Sequence, residues 1–119
     1  MNDVNLKSIA TQLSASIASA KRATEWIATM FPNNPAAVFA GAVHYLKLMG
    51  TVTGGWMMAR AALAAAAQIK AGEGDGDYLK AKIMTTRFYA DHILTMAPSF
   101  ADALMLGAES VLQMEEALF

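Results

Sequence analysis

From Pro35 to Ala71 the sequence contains no acidic residue and no internal proline, and its only formal charges are Lys47, Arg60 and Lys70. Few folds accommodate such a run. The uncharged part between Lys47 and Arg60 is too short to cross a bilayer, which takes about 20 apolar residues, so a membrane span is excluded. What remains is one long helix. Projected at about 100° per residue, Lys47, Thr53, Arg60, Gln68 and Lys70 scatter over more than half the circumference, and a helix without a dense polar face is covered nearly all round. Gly41, Gly50, Gly54 and Gly55 each cost roughly 1 kcal/mol relative to alanine, so they predict close packing rather than helix propensity. Gly50 and Gly54 lie four apart, as do Gly55 and Ala59, forming two ridges of small residues. With Trp56 they are the expected helix-packing or interface residues.

The flanking segments are helical too. Leu6, Ile9, Leu13, Ile17, Ala20, Ala23, Ile27 and Met30 recur at three and four, which predicts a helix from Asp3 to Phe31 with Lys7, Ser14, Lys21, Arg22 and Glu25 on the outer side. Phe31-Pro32-Asn33-Asn34-Pro35 stops it, and Asn34-Pro35 supplies an N-cap and a first-turn proline for the second helix. That helix is expected to run from Pro35 to about Ala71. The glycine- and acid-rich stretch 71–77 reads as a loop, with Asp77 as N-cap of the next helix. From Tyr78 to Ala97, residues Leu79, Ile83, Met84, Phe88, Ile93 and Leu94 face a core. Helical spacing then resumes from Phe100 through Leu104, Ala108, Val111 and Met114 to Leu118.

Pro98 decides the topology. No glycine or asparagine between Thr95 and Phe100 is available to reverse the chain, and the second helix, about 55 Å long, matches the sum of the segments flanking Pro98. The expectation is an all-α, up-down antiparallel bundle of three long helices, the third kinked at Pro98, in a single domain over residues 1–119. A four-helix bundle is the alternative.

Hydrophobic residues make up 55% of the chain and charged residues 16%, against about 45–50% and 25% in ordinary soluble domains. The chain holds more apolar surface than its own core needs. Two neighbouring helices cannot cover the glycine-bearing one, so a second copy or the rest of a larger polypeptide should. A formal charge of -1 supplies no basic field for nucleic acid. The absence of cysteine excludes disulfides and thiolate chemistry. The start of the sequence is unlike a signal peptide, and the chain reads as a soluble cytoplasmic protein.

Catalytic and metal sites find little support. His44 and His92 fall far apart on an antiparallel count, which argues against a shared metal or haem, and Asp91-His92 are adjacent where a di-iron site needs Glu-x-x-His spacing. Glu109, Glu115 and Glu116 have no supporting histidine or lysine at defined spacing. The loop with Gly72, Gly74 and Gly76 is acidic and repels phosphate. Met57, Met58 and Met84 suit either a core or an adaptable ligand groove, the latter extending to Phe88 and His92. No catalytic residue and no metal ligand is assigned. The same count places Asp102 near Lys47 and Asp91 near Arg60, and these are expected as structural ion pairs, because an unpaired buried charge is costly.

Three stretches resemble one family. Tyr45-Leu46 through Gly50 to Gly54-Gly55-Trp56 and Ala59-Arg60-Ala61 is similar to the extra C-terminal helical domain that follows the core of acyl-CoA dehydrogenase-like flavoenzymes. Lys82 through Thr86-Arg87-Phe88-Tyr89-Ala90 and His92-Ile93-Leu94 looks like the next helix of that domain. Gly107-Ala108-Glu109-Ser110 and Glu116-Ala117-Leu118-Phe119 resemble its end. The pattern departs from the family at Thr95-Met96-Ala97, which precede Pro98 where proline would directly follow the Ile93-Leu94 pair.

The resemblance implies a fragment of a larger enzyme of fatty acid metabolism that oxidises an acyl-CoA thioester using FAD and a carboxylate base. Flavin and base both belong to the core, so no cofactor is expected in this chain. It implies a non-catalytic module packed against that core or a partner subunit, with a homodimer as the expected oligomer. An independent helical dimerisation module and a ligand-binding bundle are the alternatives.

Overall fold

The computed structural model describes residues 3–119, so the first two residues of the expected domain lie outside it. Helix α1, Val4–Met30, starts where the Asp3 carboxylate accepts the N–H groups of Asn5 and Leu6 at 2.9 and 3.2 Å, satisfying donors that have no intrahelical partner. Its inner face is Ile9, Ser16, Ser19, Ala20 and Ala23. Ile17, expected inward, is exposed. Ser16 takes the inward position one residue earlier, its hydroxyl donating to Leu13 O at 2.8 Å, because the small side chain lets the neighbouring helix approach.

Asn34 caps α2, Pro35–Ala40, through Ala37 N, with Pro35 in the first turn, as expected. The expected unbroken helix does not follow. Gly41 separates α2 from α3, Ala42–Ala71. Its backbone leaves helical geometry at φ -104° and ψ 9°, and Leu104 crowds the position: a Cβ at Gly41 would run into the Leu104 side chain and lie 3.1 Å from the Leu104 Cα. Only glycine fits, and the helix bends there.

Gly72 ends α3 in the left-handed region at φ 72°, and Glu73 N closes back on Gln68 O at 2.9 Å, the arrangement that satisfies the last carbonyls of a helix. The next helix, α4, Gly76–His92, is capped by Asp75 and not by Asp77. Gly74, at φ 71°, turns the chain early enough for Asp75 to reach Asp77 N and Tyr78 N. Asp75→Ala is therefore expected to lower stability by about 0.5–2 kcal/mol, and Asp77→Ala by less, in urea unfolding.

The third stretch is segmented. After α4 comes a 3-10 turn, Leu94–Met96, and then α5, Ala97–Leu106, with Pro98 in its first turn. Pro98 starts a helix where a kink within one was expected. Lacking an N–H, it cannot serve the Leu94 carbonyl, which accepts instead from Ala97 N, while the Thr95 hydroxyl donates to Asp91 O at 3.0 Å. Two short elements follow: α6, Ala108–Leu112, and a 3-10 turn, Glu116–Leu118.

The architecture is an all-helical bundle. Both α4 and α5 pack on α1 and α3, and α6 packs on α2. One core half joins Ile9 to Ala59, Ala62 and Ala65 of α3 and to Leu79, Ile83, Ala90 and Leu94. The other joins Ala20 and Ala23 to Leu48 and Val52 and to Ala97, Ala101 and Leu104. Alanine makes up half of the first and more than half of the second, so the helices lie close and the body is thin, 65 × 29 × 19 Å. No helix among the described residues is long and apolar enough to cross a membrane.

Candidate functional site: the outer face of the glycine helix

Burial divides α3 into two sides. Leu48, Val52, Gly55, Ala59, Ala62 and Ala65 turn inward. On the other side Val43, Leu46 and Met57 are exposed, Trp56 is half-exposed at its flank, Leu63 is exposed toward α1, where it lines a groove with Leu6, Ala10 and Leu13, and on α2 Phe39 is exposed. Leu46 keeps 72% of its surface and Phe39 66%. Large apolar side chains thus stay exposed along the outer side of α3.

The expected packing residues separate along the same line. A Cβ on Gly54 would lie 2.7 Å from the Tyr89 hydroxyl oxygen, and one on Gly55 would lie 2.6 Å from Leu94 Cδ2. Both glycines seat neighbouring side chains inside the domain, and Ala59 is buried beside them. Gly50 and Trp56 face outward: a Cβ on Gly50 meets nothing within 4 Å, and Trp56 is 48% exposed. The five share a helix but not a role.

Tyr89 locks the inner side. Its hydroxyl donates to Thr51 O at 2.7 Å, and burial pushes its pKa up from the ordinary tyrosine value. The neutral, donating form is thereby favoured. Sequence reading missed this contact, although Gly54 marks the hole into which the ring fits.

The expected ion pairs are not the ones formed. Asp102 meets Arg22 of α1 at 3.2 Å, not Lys47, and Asp91 meets Arg87 one turn away at 2.8 Å, not Arg60. Counting outward from a loop sets the height of a residue along a bundle but not the flank it occupies. Asp102 lies on the α1 side. Arg87 also donates to Asn5 Oδ1 at 3.1 Å, tying α4 to α1. Lys47 is exposed. Arg60 instead lies over the Trp56 indole at 5.0 Å, where the ring face attracts a cation.

Other candidates hold less. His92 stacks on Phe88 at 4.5 Å in the open. No group of three His, Asp or Glu that could hold a metal occurs among the described residues. Of the exposed acids near the end of the chain, Glu109 accepts from Gln113 at 2.6 Å. Met57 and Met58 line an open groove of about 390 Å³ against Tyr78, Lys82 and Thr85 of α4. Met84 lines another, beside Asn5 and Ile69. The first groove is continuous with the outer face of α3 through Met57.

Comparison with known proteins adds a frame to this geometry. The family model described as acetyl-CoA dehydrogenase C-terminal like matches residues 1–115. Over 61 residues the chain is 39% identical to a 3-methylmercaptopropionyl-CoA dehydrogenase of Ruegeria pomeroyi, a match covering 51% of this chain and 10% of that protein. The matched stretch thus spans about a tenth of its curated relative.

Proposed function

This chain belongs to the acetyl-CoA dehydrogenase C-terminal-like family, and from that membership we propose that it is the non-catalytic helical module of an acyl-CoA dehydrogenase-type flavoenzyme, docking on the core or on a partner subunit. The observation that carries the reading is the exposed apolar face running along α3 in a domain matched almost end to end by the family model.

FAD is implied by the family for the full enzyme. The grooves here are open and shallow, and methionine, alanine and threonine dominate the first of them. Such surfaces suit a helix better than a flavin, so flavin and catalytic base are assigned to the rest of the enzyme. Glu109, Glu115 and Glu116 are exposed and unsupported by a histidine, which favours surface roles for all three. Exposure of the α3 face also favours a second reading, an independent module that pairs with another copy of itself.

The test is direct. With added FAD, an acyl-CoA thioester and an artificial electron acceptor, this chain is expected to give no acceptor reduction above the flavin blank. Turnover by the chain alone would sink the proposal. Sedimentation across a wide concentration range addresses the second reading, since a self-associating module gains mass as concentration rises.

A further inference from the structure

We propose that the outer seam of α3 is occupied by an apolar helical surface of the enzyme's catalytic part whose flanks carry carboxylates. The inference rests on the reading above and names the partner's chemistry. Val43, Leu46, Gly50, Thr53, Met57 and Arg60 alternate spacings of three and four, the interval at which one helix offers a straight seam to another. All six are exposed. At Gly50 nothing stands within 4 Å of where a Cβ would be, so the seam has an open hole where a partner side chain can seat. The Trp56–Arg60 stack at 5.0 Å borders the seam, and tryptophan and arginine are the residue types that most often dominate binding energy.

Charge selects the occupant. The protein's net charge of -1 hides a segregation: every one of its 10 acids lies outside Pro35–Ala71. Around the seam stand Lys47 and Arg60, and Lys82 of α4 shares a groove with Met57. A second copy applied about a two-fold axis would set Lys47 and Arg60 against their own images, with no carboxylate on α2 or α3 to answer them. Like charges juxtaposed in this way oppose association.

Area agrees with charge. From Val43 to Arg60 the seam is about 25 Å long and one helix wide, about 10 Å, so it buries only a few hundred Å² on each side. A stable complex of free partners takes about 800 Å² on each side. A tethered partner needs less, because its effective concentration reaches the millimolar range. The matched stretch is only 10% of the curated relative, which leaves ample chain to provide that partner.

The experiment compares the full-length enzyme with the 119-residue chain by peroxide oxidation and carbodiimide cross-linking, both read by mass spectrometry. Met57 is expected to oxidise several-fold more slowly in the enzyme, while Met84 and Met114, exposed on other faces, keep their rates. Lys47 or Lys82 should be joined to aspartates or glutamates of the catalytic part. Leu46→Glu, at an exposed position that the fold does not need, should return Met57 to its free rate. Cross-links to the acids of a second copy of this module, or unchanged Met57 oxidation, overturn the inference and leave the docking-module reading standing. That reading itself fails if, in the intact enzyme, no cross-link joins any residue of the module to the catalytic part and no methionine of the module changes its oxidation rate.

Discussion

Leu104→Ala should destabilise the domain by about 2–5 kcal/mol, the range for emptying a buried leucine site that cannot collapse. Leu104 is fully buried, and its cluster consists of Ala20, Ala23, Ala97 and Ala101 with Leu48 and Val52. Alanines have no length with which to fill the cavity. Leu104 also presses on Gly41, the residue that divides α2 from α3, so the substitution loosens the bend as well as the core. A double-mutant cycle separates the two effects. Gly41→Ala alone should cost about 1–3 kcal/mol by overpacking, and clearly less once Leu104→Ala has removed the side chain that a Cβ would strike. Urea unfolding of the four proteins is the measurement. Strict additivity would show that Gly41 and Leu104 do not share the space assigned to them.

The second large effect is at Gly55. A Cβ there would lie 2.6 Å from Leu94 Cδ2, 3.0 Å from Cδ1 and 3.1 Å from Cγ. Leu94 is 2% exposed and opens the 3-10 turn that joins α4 to α5, so it has little room to yield. Gly55→Val is expected to cost about 1–3 kcal/mol or more. Gly50→Ala, five residues away and facing outward, is the matched control. With nothing near the added methyl, the isolated chain should gain up to about 1 kcal/mol of helix propensity. Thermal melts of the two variants should move in opposite directions, and a fall in both would refute the division of α3 into an inner and an outer side.

Much of this structure is legible in the residues. Asn34-Pro35 starts a helix by local chemistry alone, and the spacing of Ile9, Leu13, Ala20 and Ala23 marks the inner face of α1 without reference to any other segment. The failures are tertiary. Nothing local distinguishes Gly41, where the chain bends, from Gly50, where it does not; Leu104, more than sixty residues away, makes the difference. At Pro98 the residues nearby favour a kink, whereas the first-turn position it takes rests on which carbonyls find other donors, among them the Asp91 carbonyl served by Thr95. The candidate site was half visible. Only Gly50 and Trp56 of its residues are among the expected packing residues, because a ridge of small residues does not reveal which way it points, and the ion pairs fail for the same reason: height along a bundle can be counted, whereas flank cannot.

The alanine core has an energetic consequence for the proposed docking. In this domain Phe39, Leu46 and Phe88 remain largely in water and Trp56 about half so, while alanines fill the seams between helices; the proposed docking would bury part of that surface. Folding and docking are then linked equilibria: anything that binds only the folded form adds to its stability. A weakened seam would register as a less stable enzyme, and a weakened core could go unnoticed while the seam holds. On the proposed reading docking would add to the apparent stability of the domain, while the isolated chain keeps its own free energy of folding.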